Sequence, residues 1–141
     1  MKKILIINAN YYKNISSSLV NGAKKTLNKK KMRSKIIDVP GVFEIPFTIR
    51  RYIQIYDGFI ALGCVIKGKT PHFDLICKSS FDAIMQLSIN FNKPIGNGII
   101  TALNMTQAME RSSLTNKLKP NKGIESAAAV VSVLNNEPKK T

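Results

Sequence analysis

The chain has one histidine, two cysteines and only eight acidic residues against 22 lysines and arginines. Each scarcity excludes something. Cys64 and Cys77 lie in apolar stretches without partners at metal-ligand spacing. They read as small core residues of a protein in a reducing cytosol, with no metal site. No apolar run approaches the roughly 20 residues needed to cross a bilayer. The opening MKKILIINANYYKN has too short an apolar core for a signal peptide and reads as a first strand, so the expected location is cytoplasmic. Internal repeats, coiled-coil heptads and low-complexity linkers are absent. With 141 residues, 44% of them hydrophobic and 21% charged, an ordinary globular protein is expected. It should form a single domain over 1–141, with 135–141 as a frayed tail.

Positive charge is what the chain has in excess, +14 at neutral pH. Lys24, Lys25, Lys29, Lys30, Lys31, Arg33 and Lys35 crowd one region, and Arg50-Arg51 make a second cluster. Such a balance suits nucleic acid. The lysine run, however, carries no interleaved aromatics on which single-stranded bases stack. It reads as a solvated helix end, and neither a nucleic-acid nor a membrane partner is expected.

The stretch around which the chain is organised is Phe59 to Asp74, FIALGCVIKGKTPHFD. Phe59 to Ile66 is an apolar run interrupted only by Gly63, as in a strand of a parallel sheet buried on both faces. Lys67-Gly68-Lys69 is a turn, Thr70 a candidate N-cap and Pro71 a candidate first helical residue. Beyond it Phe73, Ile76, Cys77, Ser80, Ile84 and Leu87 recur at helical spacing. Strand, glycine turn and capped helix aim free N–H groups and the positive helix end at an anion. His72 lies in the first turn of that helix. The stretch therefore reads as a phosphate site with an imidazole beside it.

Taken in order, Lys3 to Asn8 is a strand and the next helix runs from about Ile15, with Ile15, Leu19, Ala23 and Leu27 on one face. Arg33 to Val39 is the second strand. Val42 opens a helix running to about Tyr56, stopped by Asp57-Gly58. Ile95 to Leu103 is a fourth strand, in which Gly96 and Gly98 admit a close approach of backbone or ligand. Asn104 with Gln107 resembles a capping box for a short helix through Arg111. Ser112 to Asn121 is polar and irregular. Pro120 to Leu134 is a last helix with Ile124, Ala127, Ala128, Val131 and Leu134 as its apolar stripe. Alternating strands and helices predict an α/β three-layer αβα sandwich on a central four-stranded parallel sheet.

In such sheets ligands bind beyond the carboxyl ends of the strands. Those ends hold Asn10-Tyr11, Gly41-Val42-Phe43-Glu44 and Cys64 to His72: an aromatic face, a carboxylate, an anion cradle and an imidazole. This convergence does not name a reaction, and a basic RNA-binding α/β module stays open beside an enzyme. Gly63 to Thr70 also matches the Walker A pattern G-x-x-x-x-G-K-[ST]. Cys64, Val65 and Ile66 continue the strand where that motif needs a polar loop. Ile95 to Leu103 carries no acid for magnesium, so a nucleotide triphosphatase is disfavoured.

Three stretches, GVFEIPF, ALGCVIKGKTPHFD and NGIITALNMTQAMER, resemble the signature stretches of the lumazine synthase family, in order and over nearly the whole chain. The resemblance implies a flavodoxin-like fold and a small-molecule condensation that needs no cofactor or metal. The substrates would be 5-amino-6-(D-ribitylamino)uracil and 3,4-dihydroxy-2-butanone 4-phosphate, joined with release of phosphate and water in riboflavin biosynthesis. It implies Tyr11 as the aromatic stacked on the pyrimidine. Val42, Phe43 and Glu44 would hold the pyrimidine and ribityl chain, with Cys64, Val65 and Ile66 bordering the same pocket. Lys69 and Thr70 would bind phosphate, Arg111 would close over it from a neighbouring subunit, and His72 would carry protons. Lys122 matches a lysine near the pyrimidine carbonyl. Asn97 stands where many members have Phe, and Lys69 replaces a residue usually small or acidic.

The resemblance also implies a homo-oligomeric ring with active sites at subunit interfaces. Three features favour a homopentamer over a closed shell of many rings. The turn Ser112 to Asn121 is longer than the compact glycine-rich turn of shell-forming members. The chain begins only a few residues before its first strand, without the extension many shell formers use. The positive charge disfavours docking like surfaces on like.

Overall fold

The computed structural model describes residues 1–116, 118–136 and 138. The strands β1 (Lys3–Ala9), β2 (Arg33–Val39), β3 (Gly58–Ile66) and β4 (Ile95–Ala102) form one parallel sheet in the order β2-β1-β3-β4. Helix α1 (Lys13–Lys29) follows β1. A 3₁₀ turn (Val42–Glu44) and α2 (Ile45–Arg51) follow β2, and α3 (His72–Phe91) follows β3. Two helices, α4 (Met105–Ser112) and α5 (Lys122–Asn135), follow β4. Glu137 and Lys139–Thr141, most of the segment expected to fray, lie outside the described residues.

Side-chain alternation along the strands feeds two cores. Ile4 and Ile6 of β1 with Ile60 and Leu62 of β3 pack against Ile15, Leu19, Ala23 and Leu27 of α1 and Ala127, Val130 and Val131 of α5. Leu5, Ile7, Phe59 and Ala61 face the other way, onto Ile45 and Ile49 of α2 and Ile84 of α3. Both faces of β1 and β3 are covered, which is why Ile4 to Ile7 and Phe59 to Leu62 are unbroken apolar runs. The expected three-layer sandwich is present. Among the described residues no helix is long and apolar enough to cross a membrane.

Two elements differ from expectation. The helix expected from Val42 to Tyr56 is a 3₁₀ turn and a seven-residue helix. Past Arg51 the chain tightens: Tyr52 N–H donates to Ile49 O at 3.1 Å and Ile53 N–H to Arg50 O at 3.4 Å. These turns bury Ile53. Helix α5 begins at Lys122, two residues later than expected, because Asn121 caps it by accepting Ile124 N–H at 3.0 Å.

Its buried face is Gly123, Ser126, Ala127, Val130 and Val131, while Ile124 and Ala128 of the expected stripe are exposed. The cause is the close approach of α5 to β4. A methyl at Gly98 would stand 2.6 Å from Ser126 Oγ, and one at Gly96 would stand 2.8 Å from Val130 Cγ2. Both are closer than carbon and its neighbours tolerate, so the two glycines admit a helix and not a ligand.

Candidate active site

In-register pairing of Ala9 with Val39 and of Asn8 with Leu62 brings the loops after β1, β2 and β3 to one edge of the sheet. They enclose an open cleft of about 560 Å³, to whose lining Tyr11, Val42, Phe43, Glu44, Cys64, Val65, Ile66 and His72 all contribute. Val42 is buried at its base because Gly63 has no side chain. A Cβ there would stand 2.8 Å from Val42 Cγ2. Tyr11 and Phe43 are 73% and 63% exposed, two aromatic faces left in solvent beside an apolar floor. Tyr11 meets Tyr12 edge-on, ring centroids 4.9 Å apart, which holds it upright at the rim. Glu44 precedes α2 without capping it. Among the described residues its carboxylate has no hydrogen-bond partner, which leaves it free to accept hydroxyls.

Helix α3 starts differently from the expected Thr70 cap. Pro71 occupies the cap position, its carbonyl accepting Leu75 N–H at 3.2 Å, and His72 is the first helical residue. A proline side chain offers no acceptor, and Thr70 makes no capping bond. The first-turn N–H groups of His72, Phe73 and Asp74 therefore lack intrahelical carbonyls and keep their donors. Lys67, Lys69 and Thr70 are exposed in the turn before them. Lys67 N–H donates to Ala102 O at 2.9 Å, so the sequence from Gly63 continues β3 and forms no Walker-type loop. Lys69 and Thr70 border this helix start but do not line the cleft.

Asn97, Arg111 and Lys122 lie elsewhere, in a second cleft of about 340 Å³ at the β4 edge with Phe81, Gln107, Glu110 and Lys119. Asn97 points along its strand, Oδ1 accepting Ile99 N–H at 3.0 Å. Arg111 is exposed and has no ion-pair partner among the described residues. Lys119 pairs with Glu110 at 3.0 Å and Lys122 with Glu125 at 3.5 Å. Asn104 caps α4 by accepting Gln107 N–H at 2.9 Å. Gln107 answers through Leu103 N–H at 2.8 Å and not through Asn104, so the capping box is shifted by one residue. The two clefts share no lining residue. One chain thus splits its predicted site residues into two separate sets.

Sequence reasoning missed several lining residues. Tyr12 and Ile76 wall the first cleft, and Gln107, Glu110 and Lys119 the second. Tyr12 adjoined a residue already singled out, and Gln107 was read only as a capping residue; Ile76 and Glu110 carried no signal beyond helical position, and Lys119 none beyond its charge. Burial raises the Cys64 thiol to about 11. Burial also raises Tyr12, reinforced by Cys64 and Tyr11. Both groups are neutral near pH 7, so the floor of the cleft supplies packing and no nucleophile. Among the described residues no three His, Cys, Asp or Glu side chains group as metal ligands.

The model of one protein family, 6,7-dimethyl-8-ribityllumazine synthase, matches residues 1–137. A protein of that name from Bartonella tribocorum is 39% identical over 133 residues, covering 92% of this chain and 88% of its own. One from Methylorubrum populi is 36% identical, covering 94% of this chain and 80% of its own. One from Zymomonas mobilis is 36% identical over 137 residues, covering 96% of both. Among solved structures, the lactose-specific IIB component domain of the phosphotransferase system from Streptococcus pneumoniae aligns with TM-score 0.44 and 11% identity, covering 92% of this chain and 96% of that one. A likeness of that size carries no weight for fold or activity.

Proposed function

Because this chain belongs to the 6,7-dimethyl-8-ribityllumazine synthase family, we propose that it joins 5-amino-6-(D-ribitylamino)uracil to 3,4-dihydroxy-2-butanone 4-phosphate in a site built by two neighbouring copies. The supporting observation is the split of its site residues. Tyr11, Val42, Phe43, Glu44 and His72 line one cleft, whereas Asn97, Arg111 and Lys122 line another at the free edge of β4. A neighbour whose β4 edge covers the first cleft reunites the two sets.

The pyrimidine lies against Tyr11 and Phe43, and the ribityl hydroxyls donate to Glu44. The phosphate sits at the uncapped start of α3, between the N–H groups of its first turn, Lys69, Thr70 and the neighbour's Arg111. Fixing that phosphate places the ketone beside the arylamine. The amine attacks the carbonyl, water leaves as the imine forms, phosphate departs, and the ring closes with loss of further water. Each step moves a proton near neutrality, and His72, at the mouth of the phosphate cradle, is the group to carry it. The cradle also stabilises the departing anion. Catalysis rests mainly on positioning, since both substrates are intrinsically reactive.

Copies whose clefts and β4 edges join head to tail close into a ring, and five is the number we propose, in the cytoplasm. The test is direct. The chain, given both substrates, forms the lumazine chromophore and one phosphate per turnover, and sediments as a ring. A particle that makes neither product contradicts the assignment, and an active monomer contradicts the shared site.

A further inference from the structure

Asn121 is 2% exposed, and its carboxamide is fully engaged. Nδ2 donates to Ser112 O at 2.7 Å and to Ser18 O at 3.3 Å, while Oδ1 accepts Ile124 N–H at 3.0 Å. One side chain thus ties the last residue of α4, the second turn of α1 and the first turn of α5. The neighbouring backbone makes room for it. A methyl at Gly22 would stand 2.7 Å from Asn121 Oδ1, and one at Gly123 would strike the Leu19 carbonyl.

Among the described residues, Ser113 to Leu118 bond mainly to one another. Ser113 Oγ accepts from Thr115 N–H and Asn116 N–H, each at 3.2 Å, and Asn116 Oδ1 accepts from Leu118 N–H at 3.0 Å. Arg111 immediately precedes Ser112, and Lys122 immediately follows Asn121. Two of the three cations that line the second cleft, Arg111 and Lys122, therefore hang from the two ends of one buried clamp.

We propose that Asn121 is a positioning residue for the reaction: its carboxamide sets the spacing at which Arg111 and Lys122 meet substrates held by the neighbouring copy. This rests on the shared-site reading. A displacement of order 1 Å in such groups can cost on the order of 100-fold in rate.

The test is Asn121→Ser, which keeps a capping hydroxyl and removes the donors that reach Ser112 and Ser18. The expected result is an assembled protein in which kcat/KM for the butanone phosphate falls roughly 10- to 100-fold, mainly through a higher KM. In an Arg111→Ala background the same substitution should raise KM less than about threefold, because the effect runs through Arg111. Unchanged KM with kcat falling only with the folded fraction overturns the proposal, as does full additivity with Arg111→Ala.

Should the serine variant fail to assemble, Asn121→Asp keeps the shape and the cap acceptor. Its protonated form donates to Ser112 O, so its KM relative to the unsubstituted chain should fall from pH 8 to pH 6. A flat ratio, or loss of assembly in both variants, assigns Asn121 to folding alone. Amide exchange separates this inference from the proposed function. If the unsubstituted chain makes no lumazine, the function fails, yet faster exchange confined to Ser112–Ile124 in Asn121→Ser still supports the clamp, and unchanged exchange there removes it.

Discussion

Lys119 holds Glu110 at 3.0 Å, and Glu110 is the one acid among the described residues lining the cleft that also contains Arg111 and Lys122. The pair keeps that carboxylate off its sequence neighbour Arg111, whose guanidinium stays open to an anion.

Lys119→Ala should therefore release Glu110 to compete for Arg111. Half-exposed pairs of this kind are worth about 0.2–1 kcal/mol, so KM for the butanone phosphate should rise about 1.4- to fivefold, as should the inhibition constant of inorganic phosphate. Steady-state kinetics with phosphate as competitor reads both. An unaltered phosphate response would show that Glu110 does not compete for Arg111.

His72 is the chain's sole imidazole and lies at the mouth of the first cleft. His72→Ala should lower turnover roughly 10- to 1,000-fold, overlapping the usual worth of a general acid–base, with the fold intact by circular dichroism. Unchanged turnover removes His72 from the mechanism.

Gly96 and Gly68 make opposite predictions. A methyl at Gly96 meets the Ser126 backbone and Val130, whereas Gly68 has nothing within 4 Å. Gly96→Ala should cost on the order of 1–3 kcal/mol, lowering Tm by about 3–12 °C. Gly68→Ala should shift Tm by no more than about 1–2 °C, as surface changes do. Calorimetry on the two variants checks the contrast, and equal shifts would contradict the close packing of α5 on β4.

Cys64, raised to about 11 by burial, should be about one thousandth thiolate at pH 8. The sign is that of a buried acid whose charged form is disfavoured, so alkylation should speed up about tenfold per pH unit up to pH 10. Cys77 is also raised, by burial and by Asp74, but is less buried and should react first. Mass spectrometry after a timed iodoacetamide pulse distinguishes the two sites. Labelling of Cys64 ahead of Cys77 would contradict its place in the cleft floor.

The sheet was legible because β1 and β3 are covered on both faces and carry apolar runs that local reading detects. The first cleft was legible for a related reason, since a parallel sheet gathers the ends of β1, β2 and β3. What escaped depends on contacts between segments distant in sequence. The register of α5 is set by Gly96 and Gly98 on another strand, which turns Ser126 and Val130 inward and leaves Ile124 and Ala128 exposed. Asn121 looked like one more polar loop residue, and its partners, half-buried Ser18 and buried Ser112, are 103 and 9 positions away. The start of α3 escaped on a finer scale. Thr70-Pro71 is an ordinary cap pair, yet the helix takes Pro71 as its cap and leaves its first N–H groups free. Nothing local in the sequence placed Asn97, Arg111 and Lys122 together; that grouping came from the resemblance, and the fold puts all three at one edge.

The central claim is that a working site takes its cleft from one copy and its cations from the next. The direct measurement mixes two crippled variants, His72→Ala and Arg111→Ala, under conditions that dissociate and re-form the oligomer. With head-to-tail contacts and random mixing, about one site in four combines an intact cleft with an intact neighbouring edge. Lumazine formation should then recover to about a quarter of the unsubstituted rate. Activity no higher than the average of the two separate variants would contradict the shared site.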